Sequence, residues 1–411
     1  MKITYLTWGE TPRSYGVFGT QVIAQFIATK KLMPDAEFQF ISAIPLIHSG
    51  MVREKLRYPA ELKKVKEKLN KIQFIRIPIY APQTIVNPSK LNFRFMQIGA
   101  QYHLAKQLKK QKPDIVHCRG YAATYAALQI RKKHKLTYKV IFDARGLWAE
   151  EVAFKKNYTT NNANYIFLKE IEKYLLDKSD SIISVSDTMQ RHYEKLTQSK
   201  INTIYLSAPT TNLKNRTKQP SQAPTLIYIG ALTKNTWHQP ESLLKLYKKF
   251  KQTWDKQTHL IIVTTSNHAA IRLVFNEIPD DELTLCSTRT PKEMTNMLQK
   301  ADFACLPYFT PTNYAEKKIS KTMLAVKTVE YLSAGLPILC NKHCGGAAEI
   351  IKQYKLGISY SPEKVNEIST HTLQDLIHSS ISKKAMKIAN KLFSYQTNAI
   401  KYSDLYKSLQ K

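Results

Sequence analysis

The chain has 411 residues, of which 43% are hydrophobic and only 12 are glycine; this length predicts two domains, and the composition predicts a globular protein and excludes a disordered one. Lys and Arg number 62 against 31 Asp and Glu, which gives a formal net charge of +31. Such a charge attracts phosphate, nucleic acid or anionic lipid, and a merely solvated basic surface is an equally open alternative.

The cysteine count, the length of the apolar runs and the N-terminal residues indicate the cellular compartment of the protein. The five cysteines are too few for a disulfide framework in a chain of this length. No apolar run approaches the roughly 18 residues of a transmembrane helix. The N-terminus, MKITYLTWGE, lacks a signal-peptide core and predicts a cytoplasmic protein. No second ligand pair follows CNKHC, residues 340–344, so a strand end and a loop are favoured over a metal site.

Short β-branched or aromatic runs alternate with helix-length segments along the chain. In the first half the predicted strands are Ile3–Thr7, Glu37–Ser42, Gln73–Ile77, Asp114–His117, Lys139–Asp143, Ser181–Val185 and Asn202–Leu206. Helical patterns such as Phe95–Lys110 and Tyr165–Lys178 lie between most of them. In the second half the predicted strands are Thr225–Gly230, His259–Thr264, Glu282–Cys286, Phe303–Leu306 and Pro337–Cys340.

Strands separated by amphipathic helices predict α/β domains with parallel sheets. We expect two doubly wound domains, residues 1–206 and 225–390. The polar, proline-bearing segment 207–224 predicts a linker between them. This arrangement predicts a cleft between the carboxyl ends of the two sheets. Ligands bind at those ends in such folds, so the residues just after strands are the candidates for a site.

In the first half, loops after strands carry glycines and polar residues. Gly16 and Gly19 precede a helix predicted to begin near Thr20, where glycines let a ligand approach the backbone. Their spacing is not that of a dinucleotide fingerprint, and an ordinary loop is the alternative. His117 ends a strand, where it could hydrogen-bond a substrate hydroxyl or phosphate; a buried structural histidine is the alternative.

The segment DARGLWAEE clusters Asp143, Arg145, Glu150 and Glu151 where the next helix begins. Asp143 and Arg145 lie two residues apart, so on an extended segment they share a face. The cluster could contact a substrate or form a structural ion-pair network, and the sequence leaves both open.

In the second half, the loop after Gly230 holds Lys234, which could reach a diphosphate. Trp237 and His238 could cover a base, or Trp237 could pack under the loop. The polar loop 307–321 contains further lysines, which are mobile candidates for phosphate contact.

The most informative stretch is SKTMLAVKTVEYLSAGLPILCNKHCGG, residues 320–346. A helix pattern carries Lys327 and Glu330, and a short strand then leads to Gly345 and Gly346. Backbone N–H groups at a helix start and a lysine can hold phosphate, while a carboxylate can accept two ribose hydroxyl protons. The combination therefore suits a sugar nucleotide.

Residues 53–76 form a basic amphipathic segment with nine Lys or Arg against three Glu. Leu62, Val65, Leu69 and Ile72 recur at helical spacing. Such a helix in a cytoplasmic protein suggests an anionic membrane surface, and a surface helix whose stripe packs on the core is the alternative.

Several motifs together resemble a known family. They are, in chain order, IVHCRGYAATYAAL, VIFDARGLWAEE, SDSIISVSDTM, LIYIGAL, ADFACLPY and KTVEYLSAGLPILCNKHCGGAAEII. On these the chain resembles the GT-B glycosyltransferases of the family 4 (group 1) type, and most closely the members that build bacterial surface polysaccharides. The resemblance implies two Rossmann-like domains facing a cleft, and a final helix in residues 391–411 that packs back on the first domain.

The resemblance also assigns roles to single positions. In similar enzymes the second glutamate of a Glu-x7-Glu pair binds the donor ribose, and Glu330 matches it. The first glutamate, which binds the donor sugar, would fall at Thr322. Ala231 occupies the position of a family arginine. Lys234 and Lys327 would then bind the donor phosphates in place of that arginine, or Arg145 would contribute to binding them.

His117 matches a family position near the reacting sugar, and Gly19 matches the glycine loop beside the donor phosphates or acceptor. The expected catalytic residues are His117, Asp143, Arg145 and Lys327. The expected donor-binding residues are Gly19, Gly230, Lys234, Glu330, Gly345 and Gly346. No metal ligand is expected.

The implied reaction moves a sugar from a nucleotide diphosphate sugar, with UDP-sugar favoured, to a saccharide or lipid-linked saccharide. It retains the anomeric configuration, needs no metal or other cofactor, and would serve capsule or lipopolysaccharide synthesis at the inner face of the plasma membrane. Alternatives are a GT-B sugar-nucleotide epimerase or phosphorylase and a catalytically inactive partner of another transferase. A nucleic-acid-binding protein ranks lower, because no RNA-binding signature accompanies the charge.

Overall fold

The protein is described from a computed structural model, which covers residues 1–45, 58–79, 89–209, 224–233, 237–254, 257–288, 290–377 and 379–410. Most of the predicted linker, the loop residue Lys234 and the first residues of the basic segment 53–76 lie outside these ranges. No helix within them combines the length and apolarity needed to cross a bilayer.

The strands alternate with helices along the chain. The strands are β1 Lys2–Trp8, β2 Glu37–Pro45, β3 Gln73–Ile79, β4 Ile115–Arg119, β5 Lys139–Asp143, β6 Ser181–Ser184, β7 Ile201–Thr203, β8 Thr225–Ile229, β9 His259–Val263, β10 Leu283–Cys286, β11 Phe303–Leu306, β12 Ile338–Asn341 and β13 Gly357–Tyr360. Every predicted strand is present, within a few residues at each end. The short, glycine-initiated β13 is an additional strand that the sequence patterns did not predict.

The α-helices are α1 Ala24–Leu32, α2 Tyr58–Leu69, α3 Lys90–Gln97, α4 Ala100–Gln111, α5 Tyr121–His134, α6 Trp148–Lys156, α7 Ala163–Lys178, α8 Asp187–Tyr193, α9 Pro240–Gln252, α10 His268–Val274, α11 Pro291–Lys300, α12 Tyr314–Thr322, α13 Val326–Ser333, α14 Gly345–Tyr354, α15 Thr370–Leu376, α16 Ser379–Phe393 and α17 Tyr395–Gln410. A π-helical turn, Phe18–Ile23, leads into α1 where a plain helix start near Thr20 was predicted. The single helix predicted over residues 95–110 is two helices, because the chain breaks at Gly99.

The chain forms two compact units. Unit 1 comprises Met1–Ser207, Tyr314–Thr322 and Tyr395–Lys411, and unit 2 comprises Ala208–Asn313 and Met323–Ser394. The sheet of unit 1 has the strand order β3-β2-β1-β4-β5-β6-β7, and that of unit 2 has the order β10-β9-β8-β11-β12-β13. All the strand pairs in both sheets are parallel. The predicted α/β class with two doubly wound parallel sheets is confirmed.

The core of unit 1 packs α1, α2 and α17 against one face of its sheet. Rings from β1, β2 and α1 meet edge to face, as Phe26 does with Phe40 at 5.2 Å between ring centres. The apolar stripe of α2, Leu62, Val65 and Leu69, is buried on this side. The basic amphipathic segment therefore follows the packed-helix alternative, with its lysines outside and its apolar face against the protein.

Candidate active site

The expected donor pair lies on the first turns of α13. Lys327 Nζ is 2.7 and 2.9 Å from the two carboxylate oxygens of Glu330, and both side chains are 28% exposed. Residues three apart on a helix lie on one face, which explains the contact. Each charge is thus neutralised by the other and remains accessible.

Tyr331, the next residue, fixes this helix to the sheet. Its fully buried hydroxyl accepts a hydrogen bond of 2.8 Å from the backbone N–H of Ile229, the last residue of β8. Gly230 follows with a backbone φ of 145°, a value that residues other than glycine rarely adopt. A Cβ at this position would lie 3.0 Å from the Tyr228 hydroxyl. The bond from Tyr331 thus brings α13 beside the carboxyl end of β8 and Gly230.

The positive charge of Lys327 acts on the nearby imidazole of His238. Burial, and then the Lys327 ammonium, lower the pKa of His238 to about 3, so the imidazole is neutral near pH 7. Trp237 packs against Tyr308 and Phe309. The centre of its ring lies 6.4 Å from that of Tyr308 and 6.0 Å from that of Phe309. The Trp237 indole therefore packs against neighbouring rings, which agrees with the second alternative predicted from the sequence, that Trp237 packs under its loop.

The N-terminus of α14 carries the predicted glycine pair. No side chain caps this helix or α13 among the described residues, so other groups must satisfy their first N–H groups. Gly346 is buried and its N–H donates to the carbonyl of Met323 at 2.9 Å, whereas Gly345 is partly exposed. Within the described ranges, no group of three or more His, Cys, Asp and Glu residues could hold a metal ion.

In unit 1 the structure brings His117, Asp143 and Arg145 together. Arg145 Nη1 is 3.2 Å from Asp143 Oδ1, and its Nη2 donates to Gln21 Oε1 at 3.1 Å. Burial alone would raise the pKa of Asp143, but the Arg145 charge, with a smaller effect of His117, holds it well below its usual range. Asp143 is therefore a buried carboxylate, and Arg145 is its partly exposed partner.

His117 is fully buried and does not reach solvent. Its Nδ1 is 2.6 Å from the Tyr406 hydroxyl on α17, and its Nε2 is 3.5 Å from Asp143 Oδ2. Burial, which outweighs the attraction of Asp143, lowers the pKa of His117 and keeps the ring neutral. The structure favours the buried-histidine alternative over direct contact with a substrate.

A small cavity of about 150 Å³ lies beside this group in unit 1. Its lining residues include Trp8, Glu10, Arg119, Arg145, Trp148 and Glu151. Arg119 Nε contacts both carboxylate oxygens of Glu10, at 3.1 and 3.3 Å. Burial raises the pKa of Glu151 to about 7. A cavity with two indoles, two guanidinium groups and two carboxyls can bind a polar ring.

Sequence reasoning missed Trp8, Glu10 and Trp148. The signal was available, because Glu10 follows β1 and its partner Arg119 ends the neighbouring strand β4. The carboxyl ends of adjacent parallel strands meet at one edge of a sheet, so opposite charges there predict a pair.

Both halves of the chain match families of known proteins. The family described as "Glycosyltransferase Family 4" matches residues 59–210, and the family described as "Glycosyl transferases group 1" matches residues 209–393. Together these matches cover strands β3 to β13 and more than half of the chain. The chain belongs to the GT-B glycosyltransferases of the family 4, group 1 type.

Solved structures similar to this glycosyltransferase agree with the fold. The lipopolysaccharide outer core galactosyltransferase WaaB is 13% identical in sequence, with a TM-score of 0.67. The match covers 99% of this chain and 100% of WaaB. Sucrose-phosphate synthase from Thermosynechococcus elongatus has 14% identity, 100% and 99% coverage and a TM-score of 0.66. HepE (Alr3699) from Anabaena, in complex with UDP, has 12% identity, 99% and 100% coverage and a TM-score of 0.64. No curated protein sequence matches significantly.

Two further positions that the resemblance singled out make local contacts in the structure. Gly19 is buried, and a Cβ on it would lie 2.4 Å from the carbonyl oxygen of Ser14, so it serves the close packing of its own loop. Thr322 is buried at the end of α12 in unit 1, and its hydroxyl bonds the carbonyl of Lys318 at 3.1 Å. Its side chain is committed to the helix. Lys234 lies outside the described residues.

Proposed function

We propose that this glycosyltransferase moves a sugar from a UDP-sugar to a saccharide or lipid-linked saccharide, with retention of configuration and without a metal ion. The proposed role is in bacterial surface polysaccharide synthesis, with the protein at the inner face of the plasma membrane. The observation that carries the proposal is the Lys327–Glu330 pair, accessible on one turn of α13 and tied through Tyr331 to the end of β8.

The donor half of the proposal assigns each partner of this pair a task. The Lys327 ammonium binds the diphosphate, and the Glu330 carboxylate accepts hydrogen bonds from the two ribose hydroxyls. Without ligand the two groups satisfy each other at 2.7 Å, so donor binding exchanges one ion pair for a phosphate contact and two hydroxyl contacts. The structures of HepE with UDP and with UDP-glucose support a UDP-sugar donor.

During transfer the bond between the anomeric carbon and the diphosphate oxygen breaks, the acceptor oxygen forms the new bond to that carbon, and the proton of the acceptor hydroxyl passes to the departing diphosphate. Negative charge then grows on the departing diphosphate. Lys327, Lys234 and the N–H group of Gly345 are the proposed stabilising groups, with Gly230 allowing close approach of the backbone. Gly346, whose N–H donates to the carbonyl of Met323, is proposed to hold the turn that presents Gly345. These groups would do the work that a metal ion does in other transferases.

The acceptor half of the proposal belongs to residues 1–206. The cavity lined by Trp8, Trp148, Arg119 and Arg145 supports a saccharide acceptor, because indoles pack on sugar rings while charged side chains bind hydroxyls. His117 and Asp143 are proposed as positioning residues that orient Arg145. The similarity in fold to WaaB, a lipopolysaccharide outer core galactosyltransferase, supports a surface polysaccharide as the product.

Substitution of the pair tests the donor site. Lys327→Ala and Glu330→Ala should each reduce kcat/KM with the UDP-sugar by at least a hundredfold, which corresponds to about 3 kcal/mol, because each removes a contact to the donor. The matched control is Lys364→Ala with Glu367→Ala, another pair three residues apart in unit 2, whose side chains are both 66% exposed. The control should keep full activity. Near-normal turnover in either site variant would remove the assignment.

A second candidate is a catalytically inactive partner of another transferase. It is favoured by Thr322, which stands where the resemblance implies a sugar-binding glutamate and whose hydroxyl is bonded within its own helix. A thermal-shift screen with UDP-, GDP-, ADP- and CMP-sugars separates the two. A donor at 100 times its dissociation constant should stabilise the protein by about 2.7 kcal/mol, whereas an inactive partner without a donor site should show no shift.

A further inference from the structure

A ridge of large apolar side chains stands out from α3 and α4 in unit 1. Leu91, Phe95, Ile98 and Tyr102 are exposed by 62, 52, 63 and 71%. Their spacing of four, three and four residues matches the repeat of one helical face, although the two helices meet at Gly99. The opposite side of α3 is anchored, since Phe93 is buried against Tyr125, Phe167 and Trp148. The ridge is therefore a fixed feature of the folded unit.

The same part of the chain has an unusual charge balance. Residues 89–142 contain twelve Lys and Arg and a single acidic residue, Asp114, which lies before β4. Helices α3, α4 and α5 contain no Asp or Glu. The Arg131 guanidinium at the end of α5 pairs with Asp180, and the lysines beside it remain exposed. The ridge therefore borders a surface that carries mainly positive charge.

A groove of about 600 Å³ lies between α4 and α5 at this surface. Lys106, Lys109, Lys133 and His134 line it together with Ile98 and Tyr102 of the ridge, and no carboxylate is among its lining residues. Burial and the charges of Lys109 and Lys133 lower the pKa of His134, as expected in a field of positive charge. The groove is suited to a phosphate group.

Exposed apolar side chains next to a basic groove match the chemistry of an anionic bilayer. Apolar side chains enter the boundary between head groups and acyl chains, and each nearby lysine adds on the order of tenfold to partitioning by binding acidic head groups. A second copy of the chain fits poorly, because a symmetric contact would bring this basic surface against itself. Helix α2, the earlier candidate, lacks the apolar half, because its stripe is buried in unit 1.

We propose that the α3–α4 ridge and the α4–α5 groove form the surface by which this protein docks on an anionic phospholipid membrane. Leu91, Phe95, Ile98 and Tyr102 enter the interface, and Lys106, Lys109 and Lys133 bind lipid phosphates. This inference rests on the proposed action at a membrane surface and names the part of the molecule that carries it.

Vesicle co-sedimentation of the full chain tests the charged half. The protein should sediment with phosphatidylcholine vesicles containing 30% phosphatidylglycerol and not with pure phosphatidylcholine. The variant Lys106→Glu, Lys109→Glu, Lys133→Glu should lower the partition coefficient by about a hundredfold or more. The matched control is Lys63→Glu, Lys66→Glu, Lys71→Glu, which changes the net charge equally at exposed positions in and just after α2. It should change partitioning less than threefold.

The apolar half has its own variant, Leu91→Ser, Phe95→Ser, Ile98→Ser, Tyr102→Ser. It should also bind at least tenfold more weakly, and the defect should persist at 0.5 M salt, where lysine contacts are screened. Equal losses in the groove variant and the α2 control would overturn the proposal and show attraction by net charge alone. No binding by the wild type would overturn it as well.

Other occupants of the surface give different results. If 10 mM inorganic phosphate stabilises the protein through the groove lysines while vesicles do not bind, the site takes free phosphate and the membrane proposal fails. If light scattering shows a dimer that the ridge variant abolishes, and vesicles do not bind, a second copy covers the ridge. A wild type that turns over a UDP-sugar without binding vesicles removes this inference and the proposed membrane location, and leaves the proposed transfer reaction standing. Vesicle binding without donor binding or turnover removes the proposed function alone.

Discussion

At the scale of single residues, the group around Asp143 shows how burial and charge divide the roles of neighbouring side chains. The carboxylate is fully buried and touches Arg145 at 3.2 Å, while His117 is neutral and hydrogen-bonded to Tyr406. A buried carboxylate with one cationic partner is stabilised only while both are charged. Asp143 should therefore contribute measurably to the stability of unit 1.

Asp143→Asn should destabilise the protein by about 3 kcal/mol at pH 7, because it leaves Arg145 beside a neutral group. The folded-state pKa of Asp143 is depressed, so the carboxylate contributes fully above its unfolded pKa of about 3.9 and loses that contribution as the pH falls through the folded value. The difference between wild type and variant in urea unfolding should therefore shrink below about pH 4.

The control for this prediction is Asp177→Asn, which removes an exposed contact of 2.6 Å to Lys173 on α7. An exposed pair of this kind contributes about 0.5 kcal/mol, so the control should be nearly neutral at every pH. A similar loss in both variants would mean that Asp143 gains nothing from its buried contact with Arg145.

The sequence allowed a good prediction of which residues gather, and a weaker one of what each does. His117, Asp143 and Arg145 were each predicted as candidates because they lie at the end of a strand or just after one, and the structure brings them together. That His117 is covered by Tyr406 could not be predicted, because α17 lies 289 positions away along the chain. The close approach of Gly19 to Ser14 likewise depends on loop geometry that no residue pattern encodes.

At the scale of elements, α12 shows how one side chain can join a short helix to its neighbour. It lies in unit 1, although unit 2 precedes and follows it in the chain. The Ser186 hydroxyl donates to the carbonyl of Thr322 at 2.6 Å and also accepts from the N–H of Met189, so one side chain caps α8 and ties α12 to it. Loss of this hydroxyl should affect two helices.

Ser186→Ala should destabilise unit 1 by about 2–3 kcal/mol, because a helix cap and a buried hydrogen bond are lost together. Asn162→Ala is the control, since Asn162 caps α7 in the same unit by accepting from Asn164 N–H at 2.9 Å and is only partly buried. It should cost about 1 kcal/mol. Urea unfolding followed by circular dichroism measures both, and equal effects would exclude a stabilising link between α8 and α12.

The pattern of hydrophobic residues predicted the elements well where they are long or strongly apolar. The predicted strands were runs rich in β-branched or aromatic residues, and inner strands such as β4 and β8 are buried on both faces, as is usual in parallel sheets. Strand β13, GISY, begins with a glycine and has four residues, so the sequence offered no run to recognise. The break at Gly99 was missed because the apolar spacing continues from α3 into α4 and hides the change of helix.

At the scale of the whole molecule, the excess of positive charge is distributed unevenly. The segment 89–142 alone has twelve basic residues and one acidic residue, out of 62 and 31 in the chain. Self-repulsion of this kind destabilises the compact state and is weakened by salt. The charge could be counted from the sequence, but its position beside an exposed apolar ridge could not, because that depends on which face of α3 and α4 packs inward.

The net charge of +31 predicts that salt stabilises the fold. Raising sodium chloride from 20 mM to 500 mM shortens the Debye length from roughly 20 Å to below 5 Å and screens repulsion between lysines on each unit. A gain of about 1 kcal/mol would raise the Tm by about 2–4 °C for a unit of this size. In the variant Lys63→Glu, Lys66→Glu, Lys71→Glu each substitution removes two positive charges, so the net charge falls from +31 to +25 and the salt-induced rise should be smaller. Differential scanning calorimetry at both salt concentrations compares the two proteins, and a Tm that falls with salt would show that attractive ion pairs outweigh repulsion in this chain.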